Sequence, residues 1–144
     1  MKKMPPIEKV YEAWTALADN RVNLFEGYAT VASSDGTREY TIRFSGNQYS
    51  SNDNATFWQG YPGYPMLAVL MLQRRIPYNK EEAALWKNIN WTELNKKHRN
   101  RYSEAVEEIA RERGINLSVS SELAQKVMSD LESLPIEIKR KISS

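Results

Sequence analysis

The sequence predicts an α+β fold with an N-terminal helix, a small antiparallel sheet of two or three strands, and a C-terminal bundle of about four helices. Three observations predict it. Apolar residues recur at helical spacing near the N-terminus. Apolar and polar residues alternate over 25–51, on both sides of Asp35-Gly36, and apolar residues return to helical spacing after Pro65. The length of 144 residues suits one domain, 1–144, that buries about two thirds of its unfolded surface.

The first helix is predicted over residues 6–19, directly after Pro5-Pro6. Proline is tolerated in the first turn of a helix because the N–H that it lacks has no partner there. One face of this helix is apolar, which indicates that it packs on a core. The apolar positions are Ile7, Val10, Tyr11, Trp14, Leu17 and Ala18.

A β-hairpin is predicted around Asp35-Gly36, which is typical of a two-residue type I′ loop because both central positions need a positive φ. The register that follows pairs Val31 with Tyr40, Ala29 with Ile42, and Gly27 with Phe44. Because strand side chains alternate, this register separates an apolar face from a polar one. The apolar face, expected to pack on helices, comprises Phe25, Val31, Tyr40, Ile42 and Phe44.

A third strand is predicted over 48–51, because Gly46-Asn47 offers a turn that would place Tyr49 beside Phe44. The next three residues, 52–54, are Asn-Asp-Asn, and we expect a turn held by their side chains.

Helices are predicted throughout the second half of the chain. The first, 66–75, is apolar nearly all round and should be buried. Asn79 and Asn90 each precede a Glu by three residues, a spacing that is typical of helix starts. The predicted helices are 66–75, 79–88, a long helix from 90 to Arg113 closed by Gly114, and 120–133 capped by Ser120 or Ser118; a short basic tail, 136–144, is expected to be frayed.

Composition excludes several classes of function. There is no Cys and one His, His98, so thiolate zinc sites and two-histidine motifs are ruled out, and we expect no metal and no cofactor. His98 falls on the inner stripe of the predicted long helix, and we interpret it as a packed, hydrogen-bonded side chain rather than a catalytic one. The N-terminal residues lack the apolar region of a signal peptide and no apolar run spans a bilayer, so we expect a cytoplasmic protein without a membrane partner.

The segment 57–65 holds four aromatic residues, two Gly and two Pro, and directly precedes the most apolar run of the chain. Exposed aromatic rings beside a few polar groups make good ligand or partner surfaces. Our leading interpretation is therefore a non-catalytic interaction or ligand-binding domain, whose occupant is a ligand, a protein partner or a second copy of the chain. The alternative is that these rings close one end of the core. The surface residues are Asn52, Asp53, Trp58, Gln59, Tyr61 and Tyr64.

Two other functions stay open. The first is nucleic-acid binding by the basic helix 91–101, which follows another helix in an outline that resembles a helix-turn-helix. The cations of this helix and of the residues just before it are Lys87, Lys96, Lys97, Arg99 and Arg101. The net charge of only +2 and the acidic second half of the same helix weigh against it. The second is a small enzyme with carboxylates and tyrosines near 52–64, using Asp53, Tyr61 and Tyr64.

Overall fold

The first helix is the centre of the fold. The computed structural model describes residues 3–142, in which α1 spans Lys9–Ala18 and every residue from Val10 to Leu17 is buried. The predicted apolar stripe is therefore correct, but the helix is covered on its other sides as well. The second helix, α2 (Tyr64–Leu72), packs against α1 and is buried from Pro65 to Met71. Together these helices form the core on which the other elements pack.

The sheet is larger than the predicted two or three strands. It has five strands in the order β1-β2-β3-β4-β5, and only the last pair is parallel. The two strands missed by the prediction, β1 and β5, are only three and two residues long. Such short strands show no clear alternation. The strands are β1 (Val22–Leu24), β2 (Tyr28–Ala32), β3 (Glu39–Ser45), β4 (Gln48–Ser51) and β5 (Glu137–Ile138).

The predicted hairpin register is confirmed, because Ala29 pairs with Ile42 and Val31 pairs with Tyr40. The type I′ loop is wrong. Only Gly36 has a positive φ, and its N–H donates to the carbonyl of Ser33, so a turn from Ser33 to Gly36 replaces the two-residue loop. The loop grows by one residue on each side, which leaves the register unchanged.

Phe25 does not lie on the apolar face, contrary to the prediction. It belongs to the turn between β1 and β2, where its N–H donates to the carbonyl of Tyr28. The ring is 47% exposed and stacks on the Tyr28 ring with 4.9 Å between centroids. The alternation of side chains ends where the strand ends, so parity cannot be extended through this turn. The third predicted strand is confirmed, with Phe44 opposite Tyr49.

A single π-helical turn, Ala55–Gln59, joins the sheet to α2. The first three residues of the aromatic segment, 57–59, are thus helical. Gly60 ends the π-helical turn with a positive φ of 77°. Pro65 then lies in the first turn of α2, where its missing N–H costs nothing.

Four helices follow α2: α3 (Lys80–Leu85), α4 (Trp91–Lys97), α5 (Tyr102–Arg113) and α6 (Leu117–Ser133). Asn79 and Asn90 cap α3 and α4 as predicted, each accepting from the N–H three residues later. The predicted long helix from 90 to Arg113 is wrong, because Arg99 and Asn100 have positive φ and break it in two. Gly114 ends α5 in the left-handed conformation, as predicted.

Two further differences concern the C-terminal part. The side chain of Asn116, and not Ser118 or Ser120, caps α6, because it accepts from the N–H groups of Ser118 and Val119. The tail contributes a short strand that was not predicted, β5, which pairs in parallel with β4; fraying of the residues beyond it stays a prediction. Residues 143 and 144 of the predicted frayed tail lie outside the described residues. None of the described helices is long and apolar enough to cross a bilayer.

One buried hydroxyl ties α1 to the helices that follow it. Thr15 Oγ1 donates to the carbonyl of Trp86 and accepts from Trp91 Nε1 at 2.8 Å. All three residues are buried. Because an unpaired polar group in the core is costly, this hydroxyl fixes the position of the α3–α4 connection against α1.

We expect Thr15→Val to lower the free energy of unfolding by about 2–3 kcal/mol, because the isosteric valine leaves the Trp91 N–H and the Trp86 carbonyl without a buried partner. Urea denaturation measures the change. The same substitution at Thr30, on the partly exposed face of β2, should change the free energy by no more than about 0.5 kcal/mol. Equal effects at the two positions would contradict the buried network.

Candidate functional site

A polar cavity of about 240 Å³ lies beside α1, where the hairpin, the start of α2 and the α4–α5 break meet. It combines charged, amide and phenolic side chains from five parts of the chain. Such a concentration of polar groups around a cavity is typical of a ligand site. The side chains that matter for its chemistry are Lys9, Glu12, Tyr40, Asp53, Tyr64, Asn95 and Tyr102.

Glu12 and Lys9 form an ion pair in the wall of this cavity, with 3.0 Å between Lys9 Nζ and Glu12 Oε2. Glu12 is buried, and burial raises the pKa of its carboxyl, which the attraction of Lys9 offsets only in part. Burial by itself lowers the pKa of Lys9, but the neighbouring Glu12 and Tyr102 raise it overall. The ammonium group also lies 4.1 Å from the centroid of the Tyr102 ring. The pair thus places a protonatable carboxyl next to a fixed cation.

Asn95 is buried in the last part of α4 and lines the same cavity. Hydrogen bonding from its amide lowers the pKa of Glu12, which makes Asn95 a partner of the ion pair. Its Oδ1 atom accepts no hydrogen bond from any residue that the structure describes. A buried acceptor without a partner is uncommon in native proteins, and the residue that carries it lines the cavity.

The break between α4 and α5 shapes this side of the cavity. Asn100, in the left-handed conformation, donates its N–H to the carbonyl of Asn95 at 2.7 Å. Both residues line the cavity together with Tyr102, the first residue of α5. In a continuous helix seven residues are nearly two turns, so Asn95 and Tyr102 would lie on one face of a straight rod, about 10 Å apart along its axis. The break lets the chain turn around the cavity.

Two phenols line the opposite wall. The rings of Tyr40 and Tyr64 meet edge to face with 6.3 Å between centroids. Burial raises the pKa of both hydroxyls, although Arg21 lowers that of Tyr64 and Arg38 lowers that of Tyr40 in part. Both phenols therefore remain protonated at neutral pH and can donate a hydrogen bond.

Asp53 is held rigidly at the edge of the cavity. Its carboxylate accepts from Ser51 Oγ and, at 3.1 Å, from the N–H of Thr56. Thr56 Oγ1 in turn accepts from the N–H of Gly63. A Cβ atom at Gly63 would collide with Asp53 Oδ2 and lie 3.1 Å from its Cγ, so only glycine fits here. The predicted turn at 52–54 is confirmed in these bonds.

The hairpin loop is fastened to the start of α4. Ser34 Oγ accepts from the N–H of Thr92 at 3.1 Å and lies 3.2 Å from its hydroxyl oxygen. Asp35 holds the loop itself, accepting from Ser33 and Thr37, and these bonds lower the pKa of its carboxyl to about 2. The loop therefore forms a stable border of the cavity.

The residues of the predicted ligand or partner surface do not form one patch. Asp53 and Tyr64 line the cavity beside Glu12. Asn52 faces a different cavity, and Gln59 a third one near the start of the C-terminal tail. Trp58 is 65% exposed, and Tyr61 is half-buried with Lys3 above its ring. The alternative that all these rings close the core does not hold for Trp58.

The predicted basic surface is divided by the helix break. Lys87 follows α3, Lys96 and Lys97 end α4, and Arg99 and Arg101 lie in the break. Lys97 is paired with Glu108 at 2.8 Å, and Arg101 is paired with Glu104 at 3.4 Å. The other three side chains are exposed: Lys87, Lys96 and Arg99.

His98 is partly buried at the end of α4 and contacts two carboxylates. Its Nε2 lies 3.0 Å from Glu108 Oε1, and its Nδ1 lies 3.7 Å from Glu104 Oε1. The interpretation of a packed, hydrogen-bonded side chain agrees with these contacts. In the part of the chain that the structure describes, no three acidic or histidine side chains converge as metal ligands, and the absence of a cofactor stays a prediction.

A family model matches residues 2–137 of the chain, and its description is "Uncharacterised conserved protein UCP014422". The chain belongs to this family. The matched range includes every residue that lines the cavity beside Glu12. No curated protein matches the chain, and no solved structure matches it. Family membership therefore supports no particular activity.

Sequence analysis missed most of this site, namely Lys9, Glu12, Tyr40, Asn95 and Tyr102. One signal was present. Glu12 is the only charged residue between Val10 and Ala18, in a segment that is otherwise apolar or small. A lone carboxylate in such a helix indicates a buried charge with a specific partner. For Asn95 and Tyr102 there was no local signal, because their partners Glu12 and Lys9 lie far away in the sequence.

We expect Gly63→Ala to lower the free energy of unfolding by about 2 kcal/mol, because the added methyl group overlaps the fixed Asp53 carboxylate. In an Asp53→Ala background the same substitution should cost at least about 0.5 kcal/mol less. Urea denaturation of the four proteins of this double-mutant cycle gives the coupling. Fully additive effects would show that Asp53 does not restrict Gly63.

The raised pKa of Glu12 predicts a definite pH dependence of stability. Above pH 4.5, the ordinary value of this carboxyl, the folded protein binds the proton more tightly than the unfolded chain does. The free energy of unfolding of the wild type, measured relative to Glu12→Gln, should therefore fall as pH rises through the folded-state pKa. Glu122→Gln, an exposed position on α6, controls for the loss of one negative charge. A relative stability that rises over the same interval would contradict the assignment.

Proposed function

We propose that this protein binds a small polar molecule in the cavity beside Glu12. The observation that supports the proposal is the buried side chain of Asn95, which lines the cavity and whose Oδ1 has no partner among residues 3–142. A ligand N–H or O–H group would complete its hydrogen bonding. The leading interpretation from the sequence, a ligand-binding domain, is thus kept, but its site moves from the aromatic segment to the side of α1.

The lining indicates what kind of molecule would fit. Asn95, Glu12 and Asp53 supply acceptors, whereas the hydroxyls of Tyr40 and Tyr64 supply donors. Lys9 is already paired with Glu12, so an anionic ligand would gain little from its charge. The volume of about 240 Å³ lies below the range of drug-sized ligands. We therefore expect a neutral or cationic molecule of the size of a sugar or an amino acid.

A second candidate, a small enzyme, is favoured by one observation. The Glu12 carboxyl has a raised pKa and lies next to a cavity that can admit a reactant, an arrangement that suits proton transfer. In this case Glu12 would accept or donate the proton, and Tyr64 would orient the substrate. This candidate site shares Asp53 and Tyr64 with the enzyme predicted from the sequence, but the carboxyl that transfers the proton is that of Glu12.

The remaining expectations from the sequence stay predictions. They are a cytoplasmic location, a protein or second-copy partner at the Trp58 surface, and nucleic-acid binding by the five cations between Lys87 and Arg101.

Heteronuclear NMR of the isotope-labelled protein, titrated with pools of sugars, polyols, amines and amino acids, tests the proposal. A ligand should shift the amide signals of Asn95, Asn100 and Tyr102. Asn95→Leu should weaken that ligand about tenfold or more, because the lost acceptor is buried. Recovery of the ligand distinguishes the two candidate functions: a binding protein returns it unchanged, whereas an enzyme converts it to a product. If the protein is an enzyme, the Glu12→Gln variant should still bind the ligand but should no longer convert it.

Asn23→Leu is the matched control, because Asn23 is exposed on β1 and borders none of the cavity. It should leave the affinity unchanged. The proposal fails if no pool moves the three amide signals, or if Asn95→Leu binds the ligand as tightly as the wild type does.

A further inference from the structure

A second cavity lies on the outer face of the sheet and is strongly basic. It has a volume of about 340 Å³ and is lined by three cations, Arg43, Arg140 and Lys141. No carboxylate lines it, and none of the three cations is paired with one among the residues that the structure describes. The lining also contains the hydroxyls of Thr41 and Ser50 and the amide of Asn52. These are the groups that hold phosphate oxygens in proteins.

The C-terminal tail reaches this cavity because β5 anchors it to the sheet. The N–H of Glu137 donates to the carbonyl of Asn47 at 2.8 Å, and that of Lys139 donates to the carbonyl of Tyr49 at 2.7 Å. The nearest acidic side chain of the tail, Glu137, is paired with Lys139 at 3.1 Å. The next residues of the tail therefore contribute two unpaired positive charges to the cavity.

Aromatic rings contact two of the cations that line the basic cavity. Phe25 stacks on Tyr28, whose ring is opposite Arg43 in the sheet and lies 5.9 Å from its guanidinium carbon. The Arg140 guanidinium carbon lies 5.2 Å from the Phe57 centroid and 5.7 Å from the Trp58 centroid. Trp58 is 65% exposed, so much of its ring is free to contact a ligand. The exposed Trp58 of the aromatic segment thus belongs to this outer surface.

We propose that the outer face of the sheet binds single-stranded nucleic acid, with its phosphates at Arg43, Arg140 and Lys141 and its bases against the exposed rings. Cations that follow the backbone and rings that stack on bases are the two components of single-strand recognition. The bases of a duplex are already stacked on one another, so the rings favour an unpaired strand. The surface is separate from the cavity beside Glu12 and does not depend on the function proposed for it.

Fluorescence polarisation with a labelled oligodeoxythymidine of about 12 nucleotides, at low salt, tests the proposal. Three phosphate contacts predict that the logarithm of the affinity falls with the logarithm of the salt concentration with a slope of about −2. Trp58→Ala should weaken binding about tenfold through the loss of one stacked base. Since Trp58 is largely exposed, the urea unfolding midpoint of the Trp58→Ala variant should stay close to that of the wild type.

The triple variant Arg43→Gln, Arg140→Gln and Lys141→Gln should abolish most of the binding and flatten the salt dependence. The chain offers a charge-matched control in the variant Lys87→Gln, Lys96→Gln and Arg99→Gln, which removes three exposed cations from the helical side. The control should bind like the wild type. A loss of binding in the control alone would overturn the proposal and favour the basic helix predicted from the sequence.

A duplex of the same length and a sulfated polysaccharide without bases complete the experiment. Both should bind more weakly than the single strand, and Trp58→Ala should leave their affinity unchanged. Equal affinity for the polysaccharide, with no effect of Trp58→Ala on the oligonucleotide, would reduce the surface to general charge attraction and overturn the proposal. So would the absence of any binding at low salt.

Discussion

The burial of α1 on all sides is the constraint on which the rest of the structure depends. A helix with one apolar face can rest on a core, but a helix buried from Val10 to Leu17 also carries polar groups into the core, where a missing partner is costly. Trp14 Nε1 has no partner among residues 3–142, whereas the charged and hydroxyl groups are paired. Two of its side chains are polar and buried, Glu12 and Thr15. Thr15 is satisfied by the α3–α4 connection, and Glu12 is satisfied by Lys9 and Asn95. The later helices are therefore positioned by hydrogen-bonding needs of α1 as well as by apolar packing.

The sheet separates two surfaces of different chemistry. On the inner side, Ala29, Val31 and Ile42 are fully buried, and the cavity beside Glu12 lies where Tyr40 continues this face. On the outer side, Tyr28 and Arg43 are exposed, and Arg43 lines the basic cavity. Because successive residues of a strand face opposite sides, the register of one hairpin decides which residues belong to each surface. A shift of this register by one residue would replace the phenol of Tyr40 on this face by the side chain of Glu39 or Thr41.

The break in the predicted long helix shows where tertiary contacts override local preference. The pattern from 90 to Arg113 is helical throughout, yet the chain breaks at Arg99 and Asn100. Positive φ is unfavourable for arginine, so local preferences do not explain the break. It is compensated by the contacts that it allows, since Asn95 reaches Glu12 and Tyr102 reaches Lys9. Local preference and tertiary structure tend to disagree at functional sites, and this break borders the cavity for which we propose binding.

The sequence by itself determined the α+β class, the hairpin register, the buried α2 and the caps at Asn79 and Asn90, because each depends on residues that are close in the chain. Tertiary structure alone decided the break at Arg99, the pairing of β5 with β4 and the convergence of Lys9, Glu12, Asn95 and Tyr102. These features join segments that are far apart in the sequence. Such contacts cannot be predicted from the spacing of apolar residues or from turn residues, because both are local patterns. The strand β5 is only two residues long and is stabilised by its neighbour in the sheet, so no pattern within it predicts a strand.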